Sequence, residues 1–236
     1  MKSTNPKLLA GIVGAASLLL AFTASSTPVK ASNTFDKSEI SGPTGYFKSN
    51  KARFAFHWKY LETKKGVQTI LIFGDFNKPE LQIGMPVLNN ISKDRTTFTS
   101  QYKFVNTKGN LLNQKYYFPI KKLSNNSYQV HLAYHNGGRV PSANGKSYIF
   151  TKTAKSPAKS YANKYSAQTL KKQYTTQLEK SANKQYKKAK AAGKNVANPA
   201  TNKQVQKRIK AKVNSAVKKS VKQIIQGFNY DVSNIG

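Results

Sequence analysis

Residues 52–61 alternate strictly. Phe54, Phe56, Trp58 and Tyr60 fall on one side, and Arg53, Ala55, His57 and Lys59 on the other. A period of two is that of a β-strand with one face on a core. The aromatic side is therefore assigned to the interior, and His57 to the solvent side. Residues 67–76 form a β-branched run that ends at Gly74-Asp75, and residues 96–106 alternate again through Phe98, Tyr102 and Phe104. The turn Thr107-Lys108-Gly109-Asn110 leads into a strand predicted over 111–120. Ser124-Asn125-Asn126 leads into another over 127–135, with Tyr128, Val130, Leu132 and Tyr134 on one face. Asn136-Gly137-Gly138 and Ala143-Asn144-Gly145 punctuate the stretch before Tyr148-Ile149-Phe150. Six or seven short strands with frequent turn signals predict a small antiparallel β domain over 46–150, a sandwich or an open barrel. The sandwich is preferred, because nothing in the pattern pins strand closure.

The period then changes. Over 160–192 the apolar and aromatic positions are Tyr161, Tyr165, Leu170, Tyr174, Leu178, Ala182, Tyr186 and Ala189, in steps that give one helical stripe. Gly193 to Pro199 break it. Thr201 or Asn202 is placed to cap a second helix. Its stripe is Val205, Ile209, Val213, Ala216, Val217, Val221, Ile224, Ile225 and Phe228. The expectation is α+β: the β domain, then a Lys-rich helical hairpin over 160–228 and a tail over 229–236. Residues 151–159, with Pro157, are read as the linker. Residues 32–45 are read as a loose leader.

The first 31 residues read as a cleaved export signal. Lys2 and Lys7 precede an uncharged apolar run over 8–22, and Val29-Lys30-Ala31 suits a signal peptidase cut after Ala31. The alternative cut follows Ala24-Ser25-Ser26. A run of about 15 residues is shorter than the roughly 20 a membrane-spanning helix needs. The chain has no Cys, which removes lipid attachment, disulfides and thiolate chemistry. The end of the chain carries no sorting-type tail. The mature protein is expected to be secreted and held at the wall or cell surface without a covalent bond.

Charge sharpens this picture. Forty Lys and Arg stand against eight Asp and Glu, a net +32, and thirty-six of the forty are Lys. Removing residues 1–31 leaves +29. Residues 32–150 carry +11, with six acids among them, while residues 151–236 carry +18 with only Glu179 and Asp231. The candidate polyanion contacts on the first helix are Lys171, Lys172, Lys180, Lys184, Lys187, Lys188 and Lys190. On the second they are Lys203, Lys207, Arg208, Lys210, Lys212, Lys218, Lys219 and Lys222. Like charges three or four residues apart on a helix repel by a few tenths of a kcal/mol per pair. So many without internal acids call for an external counter-charge. Lys is a flexible point charge that reads no base edges, so contacts to phosphate or carboxylate are expected to be indifferent to sequence.

Catalytic chemistry is thinly represented. His131 and His135 are four apart, but in a strand four residues span roughly 13 Å, too far for one ion. No metal site and no cofactor is expected. Asp75 and Glu80 are the best-placed carboxylates and read as neutralising nearby Lys. Gly137-Gly138-Arg139 reads as a hairpin turn rather than an anion nest. Tyr116 and Tyr117 are adjacent in one predicted strand, so one must face outward, where its ring can stack on a ligand such as a sugar.

The export signal, the Val29-Lys30-Ala31 site, the Lys excess and the missing Cys resemble the small basic exported surface-associated proteins of Gram-positive bacteria. The resemblance is general and carries no diagnostic motif. It implies a role in adhesion, aggregation or biofilm. The partners expected are wall teichoic or lipoteichoic acid, acidic exopolysaccharide or extracellular DNA, with nucleic acid bound only non-specifically. Two other classes stay open. One is a membrane-active, bacteriocin-like protein whose basic helices lie on anionic lipid. The other is an enzyme acting on an acidic polymer.

Overall fold

The computed structural model describes residues 32–63, 66–106, 108–131 and 145–230. The predicted export segment, residues 64–65, Thr107, the end of the predicted 127–135 strand with Leu132, Tyr134 and His135, the stretch 136–144 with Gly137-Gly138-Arg139, and residues 231–236 lie outside the described residues.

Eight antiparallel strands run in chain order around a closed barrel: β1 (Tyr46–Ser49), β2 (Phe54–Thr63), β3 (Gly66–Asp75), β4 (Glu80–Ile91), β5 (Thr97–Phe104), β6 (Tyr116–Ser124), β7 (Ser127–His131) and β8 (Ser147–Thr153). The barrel replaces the expected sandwich because β1 pairs on both sides. Phe47 opposes Phe56 of β2 and Lys152 of β8, so no sheet edge is left at this seam. The strand pattern read from residue 52 onward passes over β1. It also passes over β4, whose sequence is interrupted by Gly84, Pro86 and Asn89-Asn90. Pro86 sits where the register with β5 shifts between Pro86 and Leu88, a bulge, which is where a strand tolerates a residue without an N–H. The strand expected over 111–120 is displaced as well. β6 begins at Tyr116, and Leu111 makes only an isolated bridge to Val105.

The lumen is filled rather than hollow. Phe47, Phe54, Phe56, Trp58, Phe73, Phe98, Phe118, Tyr128 and Phe150 are buried together with Leu71, Ile120 and Val130. Trp58 meets Phe47, Phe56 and Phe98 edge-on, at centroid distances of 5.9, 5.7 and 5.5 Å. Burying one such side chain contributes about 1.5–3 kcal/mol, so this aromatic packing is the main term holding the barrel.

Residues 32–45, expected as a loose leader, are part of the structure. Phe35 is fully buried against Phe98 and Tyr128. Its N–H donates to Arg95 O at 2.7 Å, and the Arg95 guanidinium donates back to Phe35 O. A 3₁₀ turn at Lys37–Ser41 follows, capped by Asp36. Glu39 from this turn pairs with Lys122 at 3.7 Å and Lys152 at 4.0 Å. Gly42, at φ +125°, lies on the Trp58 ring, where any Cβ would come within 2.5 Å of Cδ1.

β8 continues to Thr153, and the helical region opens at Ala158, so the connection is shorter than the predicted 151–159 linker. α1 (Ala158–Tyr161) runs through one π turn (Ala162–Ser166) into α2 (Ala167–Ala191), and α3 (Lys203–Phe228) follows with Asn202 as its N-cap. The π turn brings Ser166 Oγ to Phe76 O at 2.9 Å, and one turn on Thr169 Oγ1 donates to Asn77 O at 3.1 Å. The helical region covers the outside of β1–β4. Ala55, Ile70, Ile72 and Phe76 are buried against Tyr161, Leu170, Val221, Ile224 and Phe228. This cover corrects the assignment of His57 to solvent. It faces outward, as the alternation requires, but is only 3% exposed, because the end of α3 lies over it. Gly74 makes that approach possible, since a Cβ there would meet the Phe228 ring at 2.7 Å.

Candidate functional site

All fifteen Lys and Arg singled out on the two helices are exposed: Lys171, Lys172, Lys180, Lys184, Lys187, Lys188 and Lys190 on α2, and Lys203, Lys207, Arg208, Lys210, Lys212, Lys218, Lys219 and Lys222 on α3. The helical period explains it. Leu170 on α2 and Ile209, Val213, Val221, Ile224 and Phe228 on α3 take the buried side, which leaves the basic positions on the other. α2 and α3 contact each other, and Tyr174 Oη and Ser220 Oγ are 2.7 Å apart.

The charge is not spread evenly along the helices. The cluster packed on the barrel reaches Tyr174 on α2 and resumes at Val217 on α3. Ten of the fifteen basic residues, from Lys180 to Lys212, lie between those limits, away from the barrel wall. Lys180, Lys184, Lys187 and Lys188 line one shallow concavity on α2 with Thr176, Glu179 and Asn183. At a rise of about 1.5 Å per residue, Lys180, Lys184 and Lys187 step along the axis by ~6 and ~4.5 Å, and Lys188 follows ~1.5 Å further on. A second cleft, about 310 Å³, lies between α2, the interhelical loop and α3, lined by Glu179, Asn183, Pro199, Gln206 and Ile209. Glu179 is the one carboxylate of the two helices. Among the described residues, none of the fifteen pairs with a carboxylate, and both ion pairs involve Glu39 in the N-terminal segment.

The remaining candidates divide. Tyr116 is 6% exposed and points into the lumen, where it packs on Tyr102 and Phe104. Tyr117 is 59% exposed, so it is the outward partner of the pair. Its hydroxyl accepts from Gln101 Nε2 at 2.7 Å. His131 is exposed beside Ser147 Oγ. Asp75 is buried, and its Oδ1 accepts from the N–H groups of Asn77 and Lys78, which shapes the β3–β4 turn. Glu80 stands opposite Asp75 in the ladder and is exposed. Among the described residues, no three His, Asp or Glu side chains are grouped to hold a metal ion. No helix among them is long and apolar enough to cross a membrane.

Gln101 and Leu88 escaped the sequence reading. They share one cross-strand row with Tyr117, Leu88–Gln101–Tyr117, on the outside of β4–β6. The alternation of β5 carried the signal for Gln101, but Leu88 follows a bulge that shifts the parity of β4. No protein-family model matches the chain, and no curated protein sequence matches it.

Proposed function

We propose that the protein is secreted, stays at the cell surface without covalent attachment, and holds anionic polymers there through α2 and α3. The polymers are wall teichoic or lipoteichoic acid, acidic exopolysaccharide or extracellular DNA, and the role is adhesion, aggregation or biofilm building rather than catalysis. One observation carries the reading: fifteen exposed cations on two helices with a single carboxylate between them. A solvated helix face normally mixes the signs, because opposite charges at i,i+4 stabilise it and like charges do not. Here the compensating charge has to come from outside. Lys in place of Arg favours a phosphate or carboxylate chain gripped by charge alone. The apolar residues of α3 that would enter a lipid surface are occupied instead by the barrel wall and α2, which favours a polymer over a membrane.

The test is a wash of intact cells in about 1 M salt, where charges are screened beyond ~3 Å. Release into the wash is expected. Retention through it, with release only on wall digestion, overturns the electrostatic grip. Deleting residues 160–228 is not a usable control, since it would strip the cover from Ile70, Ile72 and Phe76. Charge-neutralising substitutions on the exposed face are.

A further inference from the structure

We propose that the uncovered wall of the barrel binds a neutral polysaccharide, a chain of hexopyranose units, on a platform centred on Tyr117. The helical region lies on β1–β3 and on the first half of β4, through Leu81, Ile83 and Met85, while Leu88 and Asn90 beyond the bulge in β4 are exposed. The chemistry of this wall contrasts with the rest of the molecule. Two adjacent cross-strand rows on β4–β6 are Leu88–Gln101–Tyr117 and Asn90–Thr99–Pro119, and neither contains a charge. Charges return only at the borders, with Lys103 opposite Met85 and Lys121 opposite Thr97. In a chain of net +32, a neutral surface of this width is matched to a ligand that brings no charge.

The row geometry fits a sugar chain. Strands lie about 4.8 Å apart, so Leu88 to Tyr117 spans about 10 Å, and the second row lies about 7 Å along the strands. Leu88 is 62% exposed and Tyr117 59% exposed, with the Gln101 amide between them. The Gln101 Nε2 bond to the Tyr117 hydroxyl holds the phenol in place, so little freedom is lost when a ring stacks on it. The same bond leaves the Tyr117 O–H free to donate and Gln101 Oε1 free to accept. Those roles suit sugar hydroxyls beside an apolar C–H face. Thr99 and Asn90 add hydroxyl and amide groups in the next row. A second copy of this chain is the competing occupant. A stable protein interface needs roughly 800 Å² per partner around a well-packed apolar centre, whereas the exposed large apolar side chains at these two rows are Val87, Leu88 and Tyr117, set among Thr, Gln and Asn.

The experiment titrates the full mature protein with chitin oligosaccharides and with a soluble linear β-glucan, in about 1 M NaCl so that the lysines are screened. Saturable binding to at least one of them is expected. Tyr117→Ala should weaken it about tenfold or more. Tyr117→Phe and Gln101→Ala should each weaken it severalfold, with melting temperatures close to wild type to show that the fold is kept. Absence of saturable binding to both probes overturns the proposal, as does binding that Tyr117→Ala leaves intact. Sedimentation run alongside gives the remaining outcome. A dimer that Tyr117→Ala dissociates would make the wall a copy–copy interface and also overturn it. The polyanion reading is tested at low salt with lysine variants, so the two fail separately.

Discussion

His57 Nε2 lies 2.6 Å from the main-chain carbonyl oxygen of Phe228, 171 residues further along the chain. This bond ties the outer wall of the barrel to the last turn of α3. The carbonyl belongs to the helix end, where no intrahelical N–H remains to satisfy it. The neutral imidazole donates to it, while Nδ1 lies 3.3 Å from Trp58 O. The rings of Tyr46 and Phe228 close the site, at centroid distances of 4.7 and 4.9 Å.

Burial holds the His57 pKa below its usual value, with Lys59 adding to the effect and the two carbonyls opposing it. The sign follows from linkage. In the unfolded chain the imidazole takes up a proton near pH 6.5, and in the folded protein it does so only at lower pH. The contribution is therefore complete above about pH 6.5 and is lost as pH falls from there through the folded value. Melting temperature measured from pH 7.5 to pH 5 should decline for the wild type. His57→Phe should flatten that window while lowering stability at pH 7.5 by about 1–3 kcal/mol, because the Phe228 carbonyl loses its partner. A wild-type profile that stays level would refute the assignment.

Phe35 sets a second expectation. It is fully buried against Phe98 and Tyr128 and is held by one main-chain bond to Arg95 O and by the Arg95 guanidinium, which donates to Phe35 O. Phe35→Ala should lower the unfolding free energy by about 3–5 kcal/mol. Chemical denaturation followed by Trp58 fluorescence checks this, because the indole lies within the same aromatic cluster. A loss below about 1 kcal/mol would mean that the segment is not part of the barrel core.

Gly74 tests how the helical region is attached. A Cβ at this position would stand 2.7 Å from Phe228 Cδ2 and 2.9 Å from Phe76 Cε2. Overpacking of this kind costs about 1–3 kcal/mol. Gly74→Ala should therefore loosen the end of α3 before the barrel melts. Hydrogen exchange should report it as faster exchange over residues 221–228, with the β5–β7 amides unchanged.

How far the sequence foretold these relationships depends on the residue. The aromatic alternation of β2 correctly placed Phe54, Phe56 and Trp58 inside but not Tyr60, which is 39% exposed and donates its hydroxyl to Gly42 O, and the helical period correctly placed the lysines outside. The alternation could not say that the other side of β2 is also buried, because what covers it arrives more than a hundred residues later. A trace of it was present in β3, where Ile70, Leu71, Ile72 and Phe73 are consecutive and all buried. An unbroken apolar run in a strand signals burial on both faces. Closure of the barrel was hidden for a different reason. It depends on a four-residue strand, Tyr46–Ser49, whose hydrogen bonds are shared between β2 and β8, and four residues are too few to show a period. The platform at Tyr117 was half legible: the Tyr116–Tyr117 pair required one outward ring, while the rows beside it depend on the register across the bulge at Pro86.

The lysines of α2 give the last prediction, in which stability and binding move in opposite directions. Lys180 and Lys184, and Lys184 and Lys188, are i,i+4 pairs of like charge, and Lys187 lies within three or four residues of Lys184 and Lys190. Replacing Lys180, Lys184, Lys187 and Lys188 by Gln removes those repulsions, and each relieved pair returns a few tenths of a kcal/mol to the helix. The variant should melt slightly higher than wild type in dilute buffer. The same substitutions remove up to four contacts to a polyanion. On a single-stranded or flexible chain, each contact contributes about 0.7 to the slope of log affinity against log salt. The slope for short single-stranded DNA, measured by fluorescence anisotropy, should fall by about 2–3, and affinity at low salt should drop steeply. Substituting Lys121 on the barrel wall should leave the slope nearly unchanged, since it lies on β6, opposite Thr97 of β5. A variant that melts higher and still binds with the wild-type slope would show that these lysines are only a solvated face, and would move the grip elsewhere on the molecule.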